Sequence, residues 1–199
     1  MPRERLAEWA NSADFIVAAD GGADRLLEVN VAPHLTLGDR DSASEEAIGK
    51  SKTFLLLEDQ DTTDCDKVLN WLVTQGVQNV TLAGLEGDLV DHVLGSFQSI
   101  AKSPLYVRLV LRRGMGWILR GPTEFECETD TGTRVSLIPI TECQGVSLEG
   151  VHWAFKNQDM SPVGFTSLSN RAAGSSAQIS LKKGIVFLFT ETSRAPFWP

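Results

Sequence analysis

At 199 residues, with 42% hydrophobic and 22% charged content, the chain has an ordinary globular composition and length for one large or two small domains. Its formal net charge of −8 argues against a nucleic-acid surface, which needs a basic face, and no apolar run reaches the roughly 18 residues of a membrane span. The charged, helical start does not read as a secretory leader, and Cys65, Cys127 and Cys143, which lack metal-site spacing, read as reduced thiols of a cytoplasmic protein.

In chain order, residues 3–11 carry a helical pattern, followed by a strand over 14–19 and a helix over 23–29. A strand at 35–37 leads to a helix over 45–50 that Ser42 or Ser44 could cap, and another strand covers 53–57. The clearest helix spans 61–75, with Val68, Leu69, Leu72 and Val73 on one face and Asp61 or Thr62 as a natural N-cap. A strand at 79–83, a helix at 90–101 and a strand at 106–111 complete an alternation that predicts an open parallel α/β sheet with helices on both faces. Such sheets usually open with a strand, so a helix at Met1 suggests either an unusual start or a first strand missing from this chain.

The character changes near 112–117. Short β-like runs at 116–119, 124–128, 134–139, 145–148, 178–181 and 185–190 predict a small antiparallel β-sandwich or barrel. The expected domains are 1–115 and 116–199.

Three short apolar runs each end in carboxylates: Asp20-Gly21-Gly22, Gly38-Asp39-Arg40-Asp41-Ser42, and Asp59-Gln60-Asp61-Thr62-Thr63-Asp64. If the strands are parallel, these acids meet at the carboxyl edge, where open α/β sheets bind ligands. Like charges are costly to gather unless a cation joins them, so Mg²⁺ and an anionic substrate are expected. Asp39 and Asp41, two residues apart on an extended tip, point to one side and could share that cation. Gly21 and Gly22 permit close backbone approach of an anion, although Asp-Gly-Gly by itself is often only a turn. The sequence is neither a Walker A motif nor a dinucleotide fingerprint. Lys67, one turn after Asp64, could hold a phosphate or be a solvated helix lysine. Asp91 and His92 follow a loop in which Asp88 is a plausible cap; His92 could touch phosphate or serve the cap. In the β part, Ser167 and Ser169 alternate onto one face, as do Trp153 and Phe155, and on sequence alone a plain hairpin with core aromatics is the preferred account.

Together these motifs resemble the thiamine pyrophosphokinase family, through Ala19 to Ala23, Gly38 to Ser42, Asp59 to Asp64 with Lys67, Gly87 to His92, Leu137-Ile138-Pro139, Gly150 to Trp153 and Ser167 to Asn170. The resemblance implies transfer of pyrophosphate from ATP to the hydroxyethyl group of thiamine, with AMP released. It implies Asp20, Asp39, Asp41 and Asp64 as Mg²⁺ carboxylates. Gln60 and Asp61 would lie at the thiamine–phosphate junction, Lys67 on phosphate, and Ser167, Ser169 and Asn170 near the thiamine ring. It also implies a homodimer with the site between subunits. The chain departs from the family pattern at Arg40, where an apolar residue is usual, and at 87–92, where an expected arginine is absent; both bear on ATP binding. Two other readings remain: a pyrophosphokinase for another hydroxymethyl heterocycle such as a pterin, and a non-catalytic thiamine or thiamine-diphosphate binder.

Overall fold

The computed structural model describes residues 1–86 and 89–191. It divides into two compact units, Met1–Leu105 and the chain from Tyr106 onward. The first unit runs α1 (Arg3–Asn11), β1 (Val17–Ala19), α2 (Gly22–Leu27), β2 (Leu35–Gly38), α3 (Glu45–Lys50), β3 (Phe54–Leu56), α4 (Asp64–Thr74), β4 (Asn79–Ala83) and α5 (Val90–Lys102).

Strands β1, β2 and β3 form a parallel sheet in that order, with Ala19 beside Leu37 and Gly38 beside Leu56. The register makes all three strands end together, which delivers Asp20, Asp39 and the segment after Leu57 to one edge. Alternation along β1 turns Ala18 toward α1, α2 and α3, where Ala10, Ala23, Leu26, Val31 and Ala47 complete a core of small and branched side chains. Thr36, opposite Ala18, follows the same face, and its hydroxyl meets that of Ser51 at the end of α3 at 2.7 Å. Helix α4 packs against β1, β2 and α5 and buries Val68, Leu69 and Leu72, whereas Val73, expected on the same face, is exposed near the end of the helix.

Helix α4 starts later than expected. Thr63, not Asp61 or Thr62, is its N-cap and closes a capping box: its hydroxyl accepts from Asp66 N–H, and Asp66 accepts from Thr63 N–H. The parallel sheet is also narrower than the alternation suggested, since β4 is not one of its strands. The strand at 106–111 pairs antiparallel with the next strand through a tight turn at Arg112-Arg113, which puts it in the second unit.

The second unit comprises β5 (Tyr106–Leu111), β6 (Gly114–Arg120), β7 (Thr123–Glu128), β8 (Arg134–Pro139), β9 (Cys143–Glu149), β10 (Phe155–Met160), β11 (Ser167–Arg171), β12 (Ser176–Leu181) and β13 (Ile185–Thr190). One antiparallel sheet runs β10-β9-β12-β7; in the other, β11, β8, β13, β6 and β5 lie side by side. Val146, Leu148, Ala177 and Ile179 are buried from the first, and Leu137, Val186, Leu188 and Met115 from the second, the two inner faces of a β-sandwich. Strands β10 and β11 join those expected from sequence. Both are polar and carry register shifts, which erase the alternation that would announce them.

Replacing Thr63 by Ala removes the cap of α4 and should lower stability by about 1 kcal/mol in chemical denaturation, with Thr63→Ser restoring most of the loss.

Candidate active site at the carboxyl edge of the parallel sheet

Asp20 leaves β1 in a left-handed conformation (φ 35°) and is fully buried. Its carboxylate accepts from Ser42 N–H at 3.0 Å, Ser42 Oγ at 2.8 Å and Ala43 N–H at 3.1 Å, which ties the turn after β2 to the end of β1. Ser42 Oγ in turn accepts from Gly21 N–H. Ser42 therefore serves this junction, and Ser44 caps α3, accepting from Ala47 N–H while its own N–H and hydroxyl donate to Asp24. Position 38 has no room for a side chain: a Cβ there would lie 2.7 Å from the Asp20 Cβ.

Asp39 and Asp41 flank Arg40, which is left-handed at φ 73°. One oxygen each from Asp20, Asp39 and Asp41 lie within 4.8 Å of one another, an arrangement that suits a divalent cation. Asp39 and Asp41 are shifted in opposite directions. Gln60 Nε2 donates to Asp39 at 2.8 Å and, with help from the Asp41 N–H and Lys67, holds its carboxyl below the ordinary range against the opposing effect of burial. Asp41 is pushed the other way, first by hydrogen bonding with Asp20 and then by the charge of Asp39. Crowding of this kind is what a bound cation would relieve.

Helix α4 brings Lys67 to the same group. Its ammonium, 6% exposed, lies 3.2 Å from Asp64 and 3.8 Å from Asp39. Asp64 is thus the partner of Lys67 and lies outside the three-carboxylate group. Asp61 is exposed, and its N–H donates to Asp59, whose carboxylate also accepts from the Thr62 hydroxyl. These bonds, the hydroxyl's first, hold Asp59 below its ordinary value. Spacing alone does not separate Asp59, which shapes the loop, from its acidic neighbours.

The structure treats the remaining expected residues unequally. Gly21 N–H is occupied by Ser42, whereas Gly22 faces open space. Asp91 and His92 are exposed in the first turn of α5. That helix meets the start of α4 through Ser99, 3.1 Å from the Thr63 hydroxyl. Eight residues of helix separate Asp91 from Ser99, about 12 Å of rise, so this contact does not deliver Asp91 to the acids. Gly87 and Asp88 lie outside the described residues. Cys65 is inert, its thiol pushed up to about 12 chiefly by burial.

In the β unit the expected alternation fails. The register shift between Ser167 and Asn170, with Ser169 at φ 56°, turns Ser167 and Asn170 inward and leaves Leu168 and Ser169 exposed. Ser167 and Ser169 do not share a face. Asn170 Oδ1 accepts from Trp153 N–H and Arg171 N–H, and Nδ2 donates to Trp153 C=O and Ser167 Oγ. All four bonds of its amide are made, so it fixes the backbone of Trp153. Trp153 is 67% exposed and not a core residue, and it stands next to His152.

Comparison with known proteins identifies the family. The family described as thiamin pyrophosphokinase, catalytic domain, matches residues 6–110, and thiamin pyrophosphokinase, vitamin B1 binding domain, matches residues 123–186. The thiamine pyrophosphokinase of Bacillus subtilis is 26% identical over 94% of this chain and 92% of its own, and thiamin pyrophosphokinase 1 of Caenorhabditis elegans is 25% identical over 89% and 79%. In fold, the chain is similar to the Bacillus subtilis crystal structure with a TM-score of 0.81, covering 97% of this chain and 96% of that one at 23% identity. The yeast enzyme's structure gives 0.76, covering 96% and 83% at 20% identity. The α/β unit with its edge of carboxylates and the β-sandwich after it belong, on these matches, to a member of the thiamine pyrophosphokinase family.

Proposed function

We propose that this chain is an ATP:thiamine pyrophosphotransferase, forming thiamine diphosphate and AMP. The observation that carries the reading is the meeting of Asp20, Asp39 and Asp41 oxygens beside Lys67 at one sheet edge. Asp39 and Asp41, with Asp20 behind them, fit Mg²⁺: they supply hard oxygen ligands, and hydrogen bonding with Asp20 and the charge of Asp39 push the Asp41 pKa up, an effect a cation would offset. Bound there, Mg²⁺ would neutralise phosphate charge and orient the polyphosphate.

The protein's own work is placement. The thiamine hydroxyl oxygen bonds to the β-phosphorus of ATP, the bond from that phosphorus to the α–β bridging oxygen breaks, AMP leaves, and the hydroxyl proton passes to a base. Such transfers need positioning and charge stabilisation more than covalent chemistry. Lys67, held between Asp39 and Asp64, keeps a cation on the phosphate side, and Gln60 fixes Asp39 in its ionised form. In the β unit, the exposed Ser169 hydroxyl and the Trp153 ring offer a hydrogen bond and a flat surface to the thiamine rings, with Asn170 holding that segment. We further place the protein in the cytoplasm, in keeping with its three free thiols, and as a homodimer that joins one subunit's acidic edge to the other's β unit. No helix among the described residues is long and apolar enough to cross a membrane.

Incubation with ATP, Mg²⁺ and thiamine should yield AMP and thiamine diphosphate in equal amounts; ADP with thiamine monophosphate would identify an ordinary kinase, and thiamine binding without turnover a non-catalytic binder. Asp41→Asn should raise the melting temperature of the metal-free protein at pH 7 and abolish stabilisation by Mg²⁺. The sign follows from the raised pKa: ionising Asp41 costs stability as pH climbs from the ordinary carboxylate value through the folded-state value. The advantage of Asn should therefore vanish in acid, where Asp41 is protonated folded and unfolded. Mixing Ser169→Ala and Asp39→Asn chains should recover part of the lost activity if the site is shared; no recovery despite proven subunit exchange would place it within one chain.

A further inference from the structure

The acidic edge must accept a polyanion, yet its buried cation is already engaged: Lys67 faces both Asp39 and Asp64. One other cation stands in the same turn. Arg40 lies between the two acids of the candidate metal pair, and its guanidinium is half exposed. Only Nη2 is engaged, donating to both carboxylate oxygens of Glu45 at 2.8 and 2.6 Å, and Nε and Nη1 have no partner among the described residues. The planar fork therefore keeps donors suited to phosphate oxygens. Glu45 is 80% exposed, and a pair so open to water contributes little stability and exchanges on the timescale of surface side-chain motion. The backbone supplies a second sign. A left-handed arginine is uncommon, and here it sits where Asp39 and Asp41 are brought together, a strained position of the kind that persists at functional sites.

We propose that Arg40 is a polyphosphate-binding arm, parked on Glu45 without nucleotide and transferred to the phosphates of ATP when it binds. The proposal rests on the pyrophosphotransferase reading and specifies how that site gains a mobile positive charge. Glu45 acts as a competitor of the substrate for Arg40, so it sets nucleotide affinity without touching the reacting atoms. A polyphosphate wins this competition because it carries more charge than one carboxylate and offers acceptors to the Nε and Nη1 donors that Glu45 leaves unused.

The test is ATP binding by calorimetry with Mg²⁺ present, on the full chain, for the wild type, Arg40→Asn, Glu45→Gln and the double variant. Asn tolerates the left-handed conformation, so the substitution tests the charge without adding strain. Arg40→Asn should weaken ATP binding about tenfold, the effect of losing a charge-assisted hydrogen bond, while thiamine affinity and melting temperature stay near wild type. Arg40→Lys should fall between. In kinetics the loss should appear in KM for ATP with kcat little changed. Glu45→Gln should tighten ATP binding two- to fivefold, and this gain should disappear in the Arg40→Asn background. Unchanged ATP affinity in Arg40→Asn would overturn the proposal. An equal gain from Glu45→Gln with and without Arg40 would do so too, since it would reflect only the removal of a negative charge. A wild type that binds ATP but forms no AMP would overturn the functional reading and leave the arm standing; one that binds no ATP would overturn both.

Discussion

The carboxylate of Asp20 is buried at the end of β1 and receives three hydrogen bonds from residues 42 and 43, beyond the end of β2. Such a group tolerates burial only when its hydrogen bonds are made, so the turn after β2 is compelled to fold back over it. That compulsion fixes where Asp39 and Asp41 point and excludes any side chain at Gly38. It also places Ser42 against Gly21, which links the start of α2 to the same junction. Asp20 is thus both the pin of the site's scaffold and a member of its carboxylate group. Replacing it would disturb geometry and charge together.

The rest of the edge is a balance of like charges. Gln60, Lys67 and backbone N–H groups settle Asp39 as an anion, whereas Asp41 has two acids for neighbours and retains its proton to higher pH. The crowding of these acids is an electrostatic cost that the proposed divalent cation would relieve. Lys67 and Arg40 divide the positive charge into one fixed and one exposed cation. Under the proposed function, such a division would let the site orient a polyanion and still release a charged product.

Much of this was legible in sequence because strand ends are. Short apolar runs followed by Asp-Gly-Gly, Asp-x-Asp and Asp-x-Asp-Thr-Thr-Asp announce parallel strands and place acids one or two residues past them, and the β1-β2-β3 register bears that out. Roles within the acids were less legible. Asp64 and Asp59 look like Asp39 in sequence, and only the helix start at Thr63 and the loop bonds of Asp59 distinguish them. The Ser167-to-Asn170 segment misled for a different reason: a period of two assumes a regular strand, and one bulge exchanged the exposures of Ser169 and Asn170. The breadth of the parallel sheet was likewise beyond sequence, since alternation of elements does not say which strand pairs with which.

The central claim is that the carboxyl edge of β1 and β2 is a divalent-cation site. A crystal grown with Mn²⁺ and a non-hydrolysable ATP analogue tests it directly through anomalous scattering. The account predicts a peak within coordination distance of Asp39 and Asp41, bridged to the analogue's phosphates. Nucleotide bound with no metal at those carboxylates, or metal bound elsewhere, would contradict it.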